Sequence, residues 1–352
     1  MPVLSRQRLT ASIKKLAVAC GASGDEAQIF ADCHVHADLR GHQTQGLQIV
    51  NIVYEFLVNG TERFGVDTPV IIDKPGFAVI DGNYGVGCIV ATRAMDHAIR
   101  KAGDNGIACV WVKRGGVFSM ASNYTLRALE HDMVGIATEN GIPFVAPWGG
   151  RDPLFSTNPF SFAVPSGEEI PIVIDMSAGS FSAGKVMAAK SAGEKMPSSH
   201  LVDGYGNYTD DPSLIEMQFD HQLNLGALVA HGTRGFGWNI FVEILAGLLS
   251  GMEASCNSIV EAEEGNITIN HGQFFMAINI EQLMPVDVFK QKVDEFIRSV
   301  KANPPAKGFD TVRLPGENAA KTEQRYLKDG IPVLDKDWED FLSICSTHGL
   351  TI

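Results

Sequence analysis

Apolar residues recur at helical spacing through the first sixty positions of the chain. Gly21 is expected to end a first helix, and Ser23 with Glu26 forms a capping box that begins a second helix running toward Arg40. A third apolar segment, residues 47–58, closes at an Asn-Gly pair. The pattern therefore predicts an N-terminal helical unit. One face of its first helix carries the apolar residues Leu9, Ile13, Leu16 and Ala17.

Short β-type runs follow from Val70 onward. They alternate with helix-like stretches at residues 91–102 and 122–131, which is typical of a mixed α/β domain. The strand-like runs have the sequences AVIDG, IACVWV, MVGIATE, PFSFAVP and PIVIDM.

The C-terminal half contains both polar and apolar segments. Residues 193–212 are rich in Gly, Ser, Asp and Pro and predict a long loop, a kind of segment that often carries function. Residues 225–251 are apolar and predict a helix. A strand with the sequence QFFMAINI, an amphipathic helix over 286–301 and a polar loop with the sequence LPGEN complete the pattern.

Charge limits the possible partners. The chain has 28 Lys and Arg residues against 41 Asp and Glu residues, a formal net charge of −13, and no basic run. A row of phosphates needs such a run for neutralisation, so nucleic acid and anionic membranes are not expected as partners. A small-molecule substrate is expected instead.

The chain also lacks the patterns of a membrane or exported protein. Its longest apolar stretch, residues 240–252, includes Glu243 and is shorter than the roughly 20 residues of a membrane span. The first residues have no apolar core like that of a secretory signal. Six cysteines are scattered without a CxxC pair, which is typical of reduced thiols. We expect a cytoplasmic protein.

Two short patterns carry little chemical information. Residues 85–87 are the nearest candidate for the dinucleotide turn G-x-G-x-x-G, but Val90 stands at its third glycine position. His34 and His36 lie within the predicted second helix, where a spacing of two points the rings in different directions. We expect no metal site, and a metal hydrolase built on these histidines would be indicated only by bound metal.

Seven longer motifs occur in order along almost the whole chain. They are ADLRGHQTQG (37–46), NGIPFVAPWGG (140–150), STNPFSFAVP (156–165), PIVIDMSAGSFSAGK (171–185), VDGYGNYTDDP (202–212), TRGFGWNIFVEILAGLLSG (233–251) and RLPGEN (313–318). Together they resemble the type 2 malate/L-lactate dehydrogenase family. That family includes sulfolactate and ureidoglycolate dehydrogenases and the reductases of cyclic ketimines.

The resemblance implies a three-layer α/β core with a mixed sheet, which binds NAD(P)H in a fold unlike the Rossmann type, and a homodimer. It further implies an N-terminal helical segment with a substrate-side loop, residues 1–68 joined by 318–352, and an NAD(P)-binding domain, residues 69–317. The family's cofactor contacts correspond to Thr157, Asn158, Ile172, Val173, Ile174, Asp175, Met176, Ser177, Ala178, Thr233, Arg234, Pro315, Gly316 and Glu317.

The chemistry of these positions agrees with the implied cofactor. Asp175 and Ser177 provide a carboxylate and a hydroxyl suited to ribose or carboxamide contacts. Gly316 permits a close backbone approach. Arg234 replaces the family's usual lysine and keeps a positive charge for a phosphate.

The substrate side departs from the family. The family motif D-L-R-G-x-D-S-H-G has its proton-donating histidine where this chain has Gln45. A substrate-binding arginine corresponds to Ile49, and a second family histidine corresponds to Val117. The positions expected to line the substrate pocket are Thr44, Ile49, Val53, Val117 and Phe118.

These changes affect ketone reduction more than imine reduction. Hydride transfer to a ketone leaves an alkoxide that must be protonated, and the Gln45 amide cannot supply a proton. An iminium already carries its proton. A substrate carboxylate opposite Ile49 would lack a bidentate partner, which costs several kcal/mol when the charge is buried. The predicted substrate is therefore a C=N compound or an unusual carbonyl compound.

Two alternatives stay open at this point. A malate- or lactate-like dehydrogenase would need a substitute proton donor, for which His42, or His200 and Asp203 in the predicted long loop, are candidates. His200 stands where the family usually has tryptophan. Alternatively, the protein binds a dinucleotide and has lost catalysis, because a regulatory protein would also keep the cofactor motifs.

Overall fold

The computed structural model describes residues 1–197, 199–215, 226–261 and 267–352. Its helices are α1 (Arg6–Ala19), α2 (Gly24–Leu39), α3 (Leu47–Val58), α4 (Gly87–Asn105), α5 (Ser122–Leu129), α6 (Ala183–Ala192), α7 (Gly232–Val242), α8 (Val286–Lys301), α9 (Glu317–Asp329) and α10 (Asp335–Thr347). Its strands are β1 (Val3–Leu4), β2 (Val70–Lys74), β3 (Phe77–Gly85), β4 (Ile107–Gly115), β5 (Met133–Glu139), β6 (Val145–Ala146), β7 (Pro159–Val164), β8 (Ile172–Ser177), β9 (Leu201–Asp203), β10 (Tyr208–Thr209), β11 (Gly226–Val229), β12 (Ile259–Glu261), β13 (Ile267–Ile269), β14 (Gly272–Asn279) and β15 (Ile331–Pro332).

A mixed sheet with the strand order β2-β3-β4-β14-β5-β7-β8 forms the centre of the α/β part. Strands β3 and β4 are parallel, as expected for strands joined by the crossover helix α4. The other neighbouring pairs in this sheet are antiparallel. The predicted mixed sheet is confirmed.

Helices cover both faces of the central sheet. Along β4, Val110 and Val112 pack in one apolar cluster with residues of α4 and α5. Trp111 belongs to a second cluster with residues of α7. Because successive side chains of a strand point to opposite faces, these clusters lie on opposite sides of the sheet. The predicted three-layer α/β core is therefore confirmed, with helices, sheet and helices in succession.

The N-terminal helices share an apolar core with the C-terminal residues. Strand β15 pairs with β1, and α10 packs against α3. Ile331 and Phe341 are fully buried in the same cluster as Leu9 and Val50. The capping box of α2 is present, with Ser23 and Glu26 each satisfying the backbone of the other. The domain boundary near residue 68 stays a prediction.

The prediction of one helix over residues 225–251 was wrong at its start. Gly226–Val229 is strand β11, paired in parallel with β6 and antiparallel with β9. A short apolar run does not by itself distinguish a strand from a helix, and here pairing on both sides decides. The helix begins only at Gly232, and Leu225 lies outside the described residues.

The predicted loop over 193–212 contains a hairpin. Strands β9 and β10 pair in it, and the turn between them includes Gly206 with φ of 89°. Helix α6, which ends at Ala192 just before this segment, was not predicted. Among the residues that the structure describes, no helix combines the length and the apolar character needed to cross a membrane.

Candidate functional site

A cavity of about 920 Å³ lies where the loop before α3, the C-terminal ends of β5 and β8, and the start of α6 meet. Its volume is near the upper end of the range of small-molecule sites, roughly 300–1,000 Å³. The start of α6 packs closely on the loop, because a Cβ at Gly184 would lie 2.7 Å from Cβ of Thr44.

Gln45 reaches the cavity from a short helical turn between α2 and α3. The Asp38 carboxylate accepts a hydrogen bond from Leu47 N at 3.0 Å and fixes the shape of this turn. The hydroxyl of Ser119 donates to Gln45 O at 2.8 Å. Backbone contacts on both sides of the turn therefore hold the Gln45 side chain at the cavity wall.

The predicted pocket positions divide into two groups. Thr44, Ile49 and Val117 line the cavity. Val53 and Phe118 do not line it, and both are buried in apolar clusters. Their assignment to the pocket is corrected. The cavity face of α3 carries positions 48, 49, 52 and 56, and Val53 points from the adjacent face into the core.

Four of the predicted cofactor residues line the cavity, namely Thr157, Asp175, Met176 and Ser177. The backbone N–H of Ser122 donates to the Asp175 carboxylate at 2.9 Å. Asn158 lies behind this wall, fully buried, and its amide donates to Glu243 at 3.0 Å. Ile172, Val173 and Ile174 form the first half of β8.

The other cofactor motifs flank β8. A Cβ at Gly235 would lie 2.7 Å from Ala178 O, so the start of α7, with Thr233 and Arg234 exposed, packs on the end of this strand. At the beginning of β8, Val173 N donates to Pro315 O at 3.2 Å.

Gly316 has φ of 88°, and a Cβ there would lie 2.8 Å from Cβ of Val173. This backbone conformation and this close contact both require glycine. Glu317, the next residue, begins α9 and forms an ion pair with Lys321. The fold therefore brings together along one strand three motifs that are far apart in the sequence.

His200 and Asp203 do not line the cavity. The Asp203 carboxylate accepts hydrogen bonds from the backbone of Asn207 at 2.8 Å and Tyr205 at 2.9 Å, which lowers its pKa. It thereby holds the turn of the β9–β10 hairpin. The His200 ring packs edge-on against Phe181, which is itself a cavity residue, with 4.8 Å between the ring centroids.

His42, the third candidate proton donor, does line the cavity. Burial lowers the pKa of its imidazole, and the nearby Asp175 carboxylate opposes that effect. His42 is therefore expected to be neutral at pH values above the ordinary histidine pKa. Its ring can form hydrogen bonds with groups in the cavity.

The two histidines of α2 have separate surroundings. The ring of His34 contacts Gln45 O at 3.3 Å, and burial lowers its pKa to about 4. His36 contacts the amide oxygen of Asn123 at 2.8 Å and the Glu323 carboxylate at 3.5 Å. Within the described part of the chain, no group of three or more metal-ligating side chains is clustered.

Two cavity residues, Glu139 and His271, were missed by the sequence analysis. Glu139 ends β5, and its strand neighbour in β14 is Gln273. His271 immediately precedes β14, so strand pairing brings it beside Glu139. A carboxylate at the end of the otherwise apolar run MVGIATE was a signal for the first residue. No sequence signal was available for the contact between them.

The comparison with known proteins agrees with this fold. The family described as Malate/L-lactate dehydrogenase matches residues 4–342. The protein named malate dehydrogenase of Pyrococcus horikoshii is 32% identical over 349 residues, which cover 98% of this chain and 95% of the relative. The ureidoglycolate dehydrogenase (NAD(+)) of Escherichia coli K12 is 28% identical over 341 residues, covering 97% and 95%. The crystal structure of malate dehydrogenase from Entamoeba histolytica superposes with a TM-score of 0.93 at 25% identity, covering 100% of this chain and 99% of the other.

Proposed function

The chain belongs to the malate/L-lactate dehydrogenase family and is an oxidoreductase, and on this premise we propose that it reduces the C=N bond of a small imine with NAD(P)H. A reduced nicotinamide, when bound, supplies a hydride to the substrate carbon and is left oxidised. The remaining functions belong to the chain, which binds and orients the substrate and controls protons.

The composition of the cavity wall carries this proposal. Ile49 provides an apolar surface, and Gln45 provides an amide that can donate a hydrogen bond but no proton. The described cavity wall contains no arginine and includes the Asp175 carboxylate. A carboxylate favours a cationic iminium over a substrate that brings its own negative charge.

The chain's residues fit a nicotinamide dinucleotide. Thr157, Asp175 and Ser177 offer hydroxyl and carboxylate groups within the cavity. Arg234 and Thr233 are exposed at the N-terminal end of the eleven-residue helix α7, where a phosphate is favoured. The named relative from Escherichia coli uses NAD(+).

The test is substrate-dependent oxidation of NADH and NADPH by the purified protein. Piperideine- and pyrroline-type imines would be compared with 2-oxo acids such as pyruvate and oxaloacetate. We expect higher kcat/KM for an imine. Faster turnover of the malate or lactate couple would contradict the proposal, and cofactor binding without any turnover would favour the dinucleotide-binding protein.

A second candidate function is that of a 2-hydroxy-acid dehydrogenase. It is favoured by Lys185, a cation on the cavity wall near the start of α6 that is able to pair with a substrate carboxylate. Removing this charge in Lys185→Met should then abolish 2-oxo acid reduction and leave imine reduction nearly unchanged.

A homodimer is part of the proposal. The outer surface of α7 and the turns that follow it carries five apolar side chains between 41% and 59% exposed. Exposed apolar patches of this kind are typical of subunit contacts. The patch, called the α7 patch below, consists of Ile240, Phe241, Ile244, Leu248 and Leu249.

The cytoplasmic location stays a prediction.

A further inference from the structure

The cavity wall holds a buried carboxyl group and a buried imidazole that the proposed reaction has not yet used. Glu139 and His271 are 8% and 3% exposed, and both line the cavity. Their nearest atoms, Oε2 of Glu139 and Nε2 of His271, lie 3.8 Å apart. The segment before α5 connects them to the substrate side, since Gly116 contacts His271 and Ser119 contacts Gln45.

The hydrogen bonding of His271 determines which ring nitrogen carries the proton. Nε2 lies 3.2 Å from Gly116 O, which only accepts, so the N–H is on Nε2. Nδ1 then has the lone pair. It is shielded from solvent and has no hydrogen-bond partner within the described residues. A buried acceptor without a partner is costly and indicates a missing donor at this position.

Glu139 has the complementary property. Burial raises the pKa of its carboxyl group well above the ordinary value and so favours the protonated form, which carries an O–H. Phe118 N donates to it at 3.4 Å and the amide of Gln273 at 3.3 Å, and both bonds use its oxygens as acceptors. Gln273 also donates to Gly116 O at 2.8 Å, which fixes its nitrogen on this side. Within the described residues the Glu139 O–H therefore has no acceptor.

We propose that Glu139 and His271 are further catalytic residues, in which Glu139 protonates the nitrogen or oxygen of the substrate's C=N or C=O bond and His271 resupplies the proton. This inference depends on the proposed function. As the new C–H bond forms at carbon, the O–H bond of Glu139 breaks and an N–H or O–H bond forms on the substrate. The electron pair of the broken bond stays on the carboxylate.

His271 can restore the acid because its two nitrogens face different partners. A cavity water at the missing donor position passes a proton from solvent to Nδ1, and the imidazolium releases its Nε2 proton to the Glu139 carboxylate once the 3.8 Å between the two groups has shortened to hydrogen-bond length. The raised pKa of Glu139 favours the protonated form that a general acid needs.

The test compares two substrates that differ only in their need for a proton. One is a neutral cyclic imine, and the other is the N-methylated iminium of the same ring, which is permanently cationic. In Glu139→Gln, kcat/KM for the neutral substrate should fall about 10²-fold or more, while kcat/KM for the iminium stays close to that of the wild type. His271→Gln keeps an N–H for Gly116 O and should show the same selectivity with a smaller loss.

Glu62→Gln is the matched control. Glu62 is another buried carboxyl group. It accepts a hydrogen bond from Val117 N and does not line the cavity, so its removal should affect both substrates equally. Equal losses on both substrates in Glu139→Gln, or no loss, would overturn the inference.

A readout without turnover separates this inference from the proposed function. At neutral pH the infrared spectrum of the wild type should contain a protonated-carboxyl band that is missing from Glu139→Gln, in protein shown to be folded by circular dichroism. If the wild type turns over neither substrate, the proposed function fails. The acid role of Glu139 is judged separately, and absence of the protonated-carboxyl band would overturn it.

Discussion

At the residue scale, two cavity side chains are predicted to depart from the family. Gln45 and Ile49 both line the cavity, and each replaces a residue that the family resemblance assigns to proton donation or carboxylate binding. The turn around them is held by hydrogen bonds to the backbone, such as the one that Leu47 N donates to the Asp38 carboxylate. The side chains of Gln45 and Ile49 can therefore be substituted without changing the backbone conformation of the turn.

The double variant Gln45→His with Ile49→Arg should gain activity on 2-oxo acids. The histidine adds an acid and the arginine adds a bidentate partner for the carboxylate, so we expect kcat/KM for oxaloacetate or pyruvate to rise about tenfold or more. Gln48→His is the matched control, because it places a histidine at another position of the cavity wall without adding an arginine. Unchanged 2-oxo acid reduction by a folded double variant would contradict this assignment.

Glu62 makes a pH-dependent contribution to stability. Burial raises its pKa to about 7, so the folded state stays protonated at a pH where the unfolded chain ionises. The carboxyl group of Glu62 stabilises the folded state fully at pH values below the pKa that it has in the unfolded chain. This stabilisation is lost as the pH rises toward 7. Relative to Glu62→Gln, the free energy of unfolding of the wild type should fall by roughly 2–3 kcal/mol between pH 5 and pH 8.

Urea denaturation of both proteins at the two pH values measures this difference. The comparison with Glu62→Gln removes the opposing contribution of buried His34 and His271, whose pKa values are lowered to about 4 and which lose stabilisation as the pH falls. A difference between wild type and variant that does not change with pH would refute the prediction.

At the element scale, strand β8 organises the proposed cofactor site. The start of α7 packs on its end at Ala178, and the turn before α9 packs on its beginning at Val173. Each contact depends on a glycine with no room for a Cβ, Gly235 in the first and Gly316 in the second. The cofactor motifs are thus held by close backbone packing between elements.

Gly316→Ala should weaken both the fold and cofactor binding. A Cβ there meets Val173 at 2.8 Å, and φ of 88° is itself unfavourable for alanine. We expect unfolding to become easier by about 1–3 kcal/mol and the Kd for NADH, measured by calorimetry, to rise. Gly308→Ala is the control, since its φ is 93° but no atom lies within 4 Å. It should lose stability without losing cofactor affinity, and equal affinity losses would argue against the role of the Val173 contact.

At the scale of the whole molecule, the layers leave one apolar surface exposed. Val242, Ala246 and Phe274 bury the inner side of the α7 layer against the sheet. The α7 patch on its outer side has no cover within the described residues. We therefore expect a second copy of the chain to bury it.

Light scattering after size exclusion should give a mass near twice the 38.0 kDa of the chain. Leu248→Lys with Leu249→Lys places two charges in the α7 patch, where burial without partners is costly, and should yield a monomer. Leu283→Lys changes an isolated leucine that is 72% exposed and should leave the dimer intact. A wild-type monomer, or a dimer unaffected by the patch variant, would show that this surface is not the interface.

Local patterns in the chain were enough to predict the features that depend on neighbouring residues. Apolar spacing gave the amphipathic helix Val286–Lys301, and the pair Ser23 and Glu26 gave the start of α2. The long motifs gave the family, and they predict the positions of cofactor contacts. These features could be predicted because periodicity, capping and turn chemistry act over a few residues.

The identity of the distant side chains that share the cavity depends on the three-dimensional fold. The fold turned Val53 into the core, separated Asp203 from the cavity, and paired Gly226–Val229 with two strands where a helix was expected. It also placed His271 beside Glu139, because β5 and β14 are neighbours in the sheet. Such contacts depend on strand order and on which face of an element is buried, and a local sequence pattern specifies neither.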